Sequence, residues 1–215
     1  MVMQYLINKS MKHLLLALTS IIIFTLTTPA YSQTEVATTN DPAQVKAGAY
    51  VLDKSHGKIT WSISHMGFST YTGQFADVDA KLNLDPAKPA NSTLDVTVNM
   101  SGIGTLNEKL DEHLKTADFF NVAKFPTATF KATKIELTSN KAAKITGNLT
   151  LLGTTKPVTI DATFNQAGPT PMTNAYRVGF TGSGKLKRSD FGMSKFLPML
   201  GDDVSLDIEA EFTAS

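Results

Sequence analysis

Cysteine is absent from the 215 residues, which excludes disulfide frameworks, thiol catalysis, cysteine-ligated zinc and iron–sulfur clusters. Charge is scarce as well. Only 18% of residues are charged, and 20 Lys+Arg against 19 Asp+Glu leave a formal net charge of +1. No basic excess exists to grip nucleic acid or anionic headgroups, so no nucleic-acid partner is expected. The GxSxG elbow of serine lipases is missing, as are GxGxxG and GxxxxGK[ST], so no nucleotide cofactor is expected. The histidines beyond residue 32 are His56, His65 and His113, and none stands in an HxH or HxxxH pair, so no metal site is expected. Against these absences, 42% of residues are hydrophobic. A chain of this size can bury roughly 70% of its unfolded surface, enough for a sizeable core.

The N-terminus reads as an address. Lys9 and Lys12 precede an uncharged, largely apolar run at 14–26, shorter than the roughly 20 residues a bilayer span requires. Ala30-Tyr31-Ser32 then offers small residues at a cleavage site, so residues 1–32 are expected to be a secretory signal cut after Ser32 or Ala30. Losing Lys9 and Lys12 turns the net charge from +1 to −1. The mature protein is expected to be periplasmic or secreted, with no stable membrane insertion. Residues 33–48 are polar and aperiodic, which predicts a flexible lead-in, and residues 49–214 form one domain.

Within that domain apolar residues alternate with period two. Ile59, Trp61, Ile63 and His65 share one face. So do Ala76, Val78, Ala80, Leu82 and Leu84, then Leu94, Val96 and Val98, and at the C-terminus Val204 to Phe212. One wet and one dry face per stretch indicates an antiparallel sheet. About eight strands are counted, with a β-bulge where the parity slips between Lys124 and Leu137. The exception is residues 105–117, where Leu106, Leu110, His113, Leu114 and Ala117 make a helical stripe. Thr105 and Glu108 have capping-box spacing, and Asp111 and Lys115 are placed to pair.

Eight long antiparallel strands leave exposed edges unless the sheet closes, and closure at eight leaves an interior either filled or able to hold one small ligand. The expected fold is all-β: an extended eight-stranded antiparallel barrel, lipocalin-like, with one short helix and an apolar internal tunnel. A two-sheet sandwich fits the same alternation. Gly147, Gly182, Gly184, Ala76 and Ala80 leave volume on the dry faces and favour a cavity. The inward residues Trp61, Ile63, Ala80, Leu82, Val96, Phe130, Leu149, Phe180 and Gly182 are therefore candidate ligand contacts, with Leu114 from the helix. His65 and His113 are either structural or ligand-facing. Arg188 reads either as a turn staple to Asp190 or as a cation at the barrel mouth facing an anionic or carbonyl head group.

Four motifs resemble the YceI-like family in order and spacing: Trp61-Ser62-Ile63-Ser64-His65-Met66-Gly67-Phe68-Ser69, then residues 111–120 (DEHLKTADFF), 147–158 (GNLTLLGTTKPV) and Arg188-Ser189-Asp190-Phe191-Gly192. The resemblance spans about residues 49–213. It implies a barrel with a long apolar tunnel that binds polyisoprenoid or similar amphiphilic lipids, and it adds the motif aromatics Phe68, Phe119 and Phe191 to the candidate contacts. Leu110 stands where family members often carry Arg, and Lys187 where they often carry Asn.

The function expected from these readings is lipid holding, for transport, storage or sequestration. The ligand is a long-chain isoprenoid or quinone-like molecule, no catalytic residues or cofactor are expected, and a homodimer is compatible. The competing readings are an enzyme on a small apolar substrate using His65, His113 and Arg188, and a filled barrel acting as an interaction module.

Overall fold

A computed structural model describes residues 37–215. The expected signal at 1–32 lies outside the described residues. Eleven β-segments follow one another: β1 (Gly48–Leu52), β2 (Lys58–His65), β3 (Ser69–Phe75), β4 (Val78–Leu84), β5 (Thr93–Asn99), β6 (Ile103–Gly104), β7 (Thr127–Leu137), β8 (Ala142–Leu151), β9 (Thr154–Pro169), β10 (Tyr176–Lys187) and β11 (Leu200–Ala214). They occupy eight positions around a barrel. β1 and β2 both pair antiparallel with β11, at Tyr50↔Ala214 and Ile59↔Ile208, so they lie end to end as one interrupted strand. β3 and β4 form the next position, and β5 with β6 the third. β7 to β11 complete an up-and-down meander, and β11 closes on β1 and β2, which removes the sheet edge there.

The alternation predicts these elements because one face of each strand must be dry. Parity fails at several interruptions, two of which bear on the lining. The ladder shifts between Ala132 and Lys134, which is the expected bulge, and it moves Ile135 onto the inward face. Between β3 and β4 the chain breaks step, so Phe75 and Val78 are both buried while Ala76 faces solvent. The reading of Ala76 as a lining residue is corrected accordingly.

One end of the barrel is left open between the short β6 and the start of β7, and helix α1 (Glu108–Lys115) packs there. Its cap is Asn107, whose side chain accepts from Leu110 N–H at 3.3 Å, rather than Thr105. Thr105 donates its hydroxyl to Asp111 at 2.6 Å, so Asp111 is engaged there and Lys115 pairs with Glu112 instead. Leu106 has positive φ and is fully exposed, off the apolar stripe.

The expectation of a flexible lead-in is corrected over residues 37–47. Thr39 exchanges two backbone hydrogen bonds with Ala167, a 3-10 turn (Pro42–Gln44) is capped by Asp41, and Val45 is buried among Tyr50, Phe164 and Phe212. The side-chain hydroxyl of Tyr50 donates to Lys46 O at 2.6 Å, and burial pushes the Tyr50 pKa up to about 12.

Candidate functional site

The barrel interior is not filled. Two chambers lie along its axis, of about 430 Å³ and about 410 Å³. The first occupies the end near residues 41–45 and the β7–β8 turn. Ala80 and Leu82 of β4, Val96 of β5, Phe130 of β7, Leu149 of β8 and Phe180 and Gly182 of β10 all line it, as predicted. Phe164, Phe180 and Phe212 stack edge to face along its wall, with centroids 5.8 and 6.2 Å apart.

The second chamber lies under α1. It brings together the predicted Trp61, Ile63, His65, Leu114, Phe119 and Arg188, together with His113 and Leu110. The competing enzyme reading requires His65, His113 and Arg188 to converge, and all three line this chamber. Two of them, however, are already engaged. The His113 ring nitrogen Nε2 bonds to the Asp118 carboxylate at 3.1 Å, and that carboxylate, which also meets Lys195 at 3.3 Å, is held below its usual pKa chiefly by the His113 bond.

Arg188 is 3% exposed. Its guanidinium donates to four backbone carbonyls of the β10–β11 connection and the start of β11: Gly201 O at 2.8 Å, Lys195 O at 2.9 Å, Met193 O at 3.1 Å and Leu200 O at 3.3 Å. Neither earlier reading describes this. Arg188 makes no staple to Asp190. Four of its five N–H groups hold the loop that walls the chamber. Burial pulls its pKa down, and nearby Asp202 opposes that shift. Lys187 pairs with Asp203, at 2.8 Å, on the outer surface.

Two predicted contacts fall elsewhere. Phe68 is 88% exposed in the β2–β3 turn and lines neither chamber, and Phe191 is buried in the wall without lining either. Two of the glycines expected to create space do not. The Phe130 ring fills the place of a side chain at Gly147, and Ile160 Cδ1 lies 2.6 Å from where a Gly184 Cβ would stand. Reasoning from residues missed Tyr71, Phe75, Phe120, Met193, Phe196 and Met199 in the second chamber. Tyr71 and Phe75 keep the strand period and could have been found. Met193, Phe196 and Met199 come from a loop with no period. Met66 and Met199, both about half exposed, line this chamber and are tied by the Met66 N–H to Met199 O bond of 2.9 Å.

Comparison with known proteins agrees with this architecture. Residues 50–212 match the model of the YceI-like domain. A UPF0312 protein of Azotobacter vinelandii is 42% identical over 170 residues, covering 78% of this chain and 88% of its own. The crystal structure of Campylobacter jejuni YceI protein is 34% identical, with a TM-score of 0.61 over 71% of this chain and 90% of that one. A domain from Saccharophagus degradans described as polyisoprenoid binding shares the fold at 11% identity, with a TM-score of 0.59 over 79% of this chain and 100% of that domain.

Proposed function

The chain belongs to the YceI-like family, and from that premise we propose that it is an exported carrier holding a long-chain isoprenoid or similar amphiphilic lipid inside the barrel. The observation that carries this reading is the unfilled, almost wholly apolar lumen, whose two chambers together offer roughly 840 Å³. The polyisoprenoid-binding description of the structurally similar S. degradans domain points the same way.

The energetics suit the task. Each CH₂-sized unit taken from water contributes about 0.8 kcal/mol, so ten give roughly 8 kcal/mol before association costs, which corresponds to micromolar binding. Tail burial alone can hold such a ligand without a charged clamp, and a quinone-like head is accommodated as readily as an alcohol. His65, Tyr71, His113 and Arg188 offer polar contacts to a head group in the second chamber, and the first chamber has polar side chains of its own, among them Asp41, Ser92, Asn140 and Lys141. The engagement of Arg188 by four carbonyls favours a structural part for it over a catalytic one. The signal-like pattern of residues 1–32 supports export to the periplasm or outside the cell, where a water-insoluble lipid needs an escort.

The test is extraction of the purified protein with organic solvent and mass spectrometry of the extract, followed by titration of the emptied protein with isoprenyl alcohols. A co-purifying lipid and micromolar binding are expected, with binding of tails too long for one chamber weakened in Ala80→Trp, which sets an indole in the first chamber. Reproducibly empty protein that ignores every alcohol would overturn the reading.

A further inference from the structure

We propose that Leu206 is a partition between the two chambers and sets the length of chain the protein accepts, an inference that rests on the lipid-holding reading above. Leu206 is the one described residue that lines both chambers. The inward residues of β11 run in order along the axis: Phe212, Ala210 and Ile208 line only the first chamber, and Val204 and Leu200 only the second. The neighbouring strands divide at the same level. On β2, Ile59 lines the first chamber while Trp61, Ile63 and His65 line the second. On β10, Phe180 and Gly182 line the first and Leu186 the second.

Leu206 stands in register with Trp61 on one side and Gly184 on the other. Both flanks are crowded at this level. Ile160 leans into the space above Gly184, and the Trp61 ring occupies the space above Gly73. Leu206 completes a collar of three large apolar side chains, and it is flexible at χ1 and χ2, so it can act as a door.

At about 30 Å³ per heavy atom, one chamber of about 430 Å³ holds roughly 14 atoms, or three isoprene units, and both together hold between five and six. A tail of up to three units fits one chamber with the partition closed. A longer tail must displace Leu206 and forgo its packing against the cluster around Trp61.

The experiment is a titration of wild type, Leu206→Ala and Leu206→Phe with all-trans isoprenyl alcohols of two to six units, each protein first shown to unfold cooperatively. In wild type, affinity should rise to three units and then flatten. In Leu206→Ala it should keep rising to five, with the five-unit alcohol bound about tenfold tighter than by wild type and the three-unit alcohol changed by less than about threefold. In Leu206→Phe the three-unit alcohol should still bind and the five-unit alcohol should weaken about tenfold. The Phe variant removes no packing, so it carries the test alone if Leu206→Ala does not fold. The same length profile in all folded variants overturns the partition while leaving the lipid-holding reading intact. Failure of every alcohol to bind wild type overturns that reading, and the partition falls with it.

Discussion

A buried guanidinium is costly unless its donors are met, and at Arg188 they are met entirely by main chain. Carbonyls of residues 193, 195, 200 and 201 converge on it, so one side chain fixes the return path from β10 to β11. Arg188→Ala should destabilise the protein by about 3 kcal/mol, because hydrogen bonds to a charged group contribute about 1.5–3 kcal/mol each and buried carbonyls are left unpaired. Arg188→Lys should recover less than half of that, since a compact ammonium cannot span the fork. Urea denaturation checks both. A loss under about 1 kcal/mol in the Ala variant would show the carbonyls to be satisfied by water. None of this geometry was legible in the residues, because the partners are backbone atoms of a loop without a motif. Trp61, Ala80 and Phe180, by contrast, were found by parity alone. Phe68 was misplaced because membership of a motif does not say where a side chain points, and the turn after β2 sends this one into solvent.

Connections between elements follow the same division between what a period reveals and what it conceals. The bulge in β7 was visible as a change of parity, whereas the break at Ala76 was hidden because apolar residues lie on both sides of it. The docking of residues 37–47 was hidden because a polar, aperiodic segment looks the same whether it is free or held by two backbone bonds to Ala167. The β1–β2 connection is held by charge. Asp53 accepts from the Ser55 hydroxyl at 2.6 Å, meets the His56 ring at 2.9 Å and ion-pairs with Arg177 of β10, which also reaches Glu211 of β11 at 2.6 Å. The Ser55 and His56 hydrogen bonds, led by Ser55, hold the Asp53 carboxyl far below the usual carboxylate range. A depressed folded-state pKa means that the stabilisation is fully present above the unfolded value of about 3.9 and is lost as pH falls toward the folded one. Asp53→Asn should therefore be less stable than wild type at neutral pH, with the gap closing as pH drops below about 4. Denaturant midpoints between pH 7 and pH 2 measure it, and a gap independent of pH would locate the loss in packing instead.

At the scale of the whole molecule, closure was legible and emptiness was only half so. Eight amphipathic strands in sequence order have few ways to hide two edges, and the pairing of Tyr50 with Ala214 is the one the chain uses. Ala80 and Gly182 do line the lumen, whereas Phe130 and Ile160 fill the gaps at Gly147 and Gly184. Volume is a property of every neighbour at once, and no single strand reports it. An unfilled lumen also leaves stability in reserve. Wall atoms facing empty space lack the dispersion contacts a packed core would have, and a lipid tail supplies them. Binding to the folded state alone stabilises by RT ln(1 + [L]/Kd), about 2.7 kcal/mol at a hundredfold excess over Kd. For a domain of this size that corresponds to a rise in Tm of roughly 5–10 °C. The emptied protein should therefore melt earlier than the loaded one by that margin. Ala80→Trp, with its first chamber occupied by an indole, should show little response to the same lipid, while Lys187→Ala, altered only on the outer surface, should respond as fully as wild type. A shift equal in all three proteins would place the lipid outside the barrel and remove the lumen from the function.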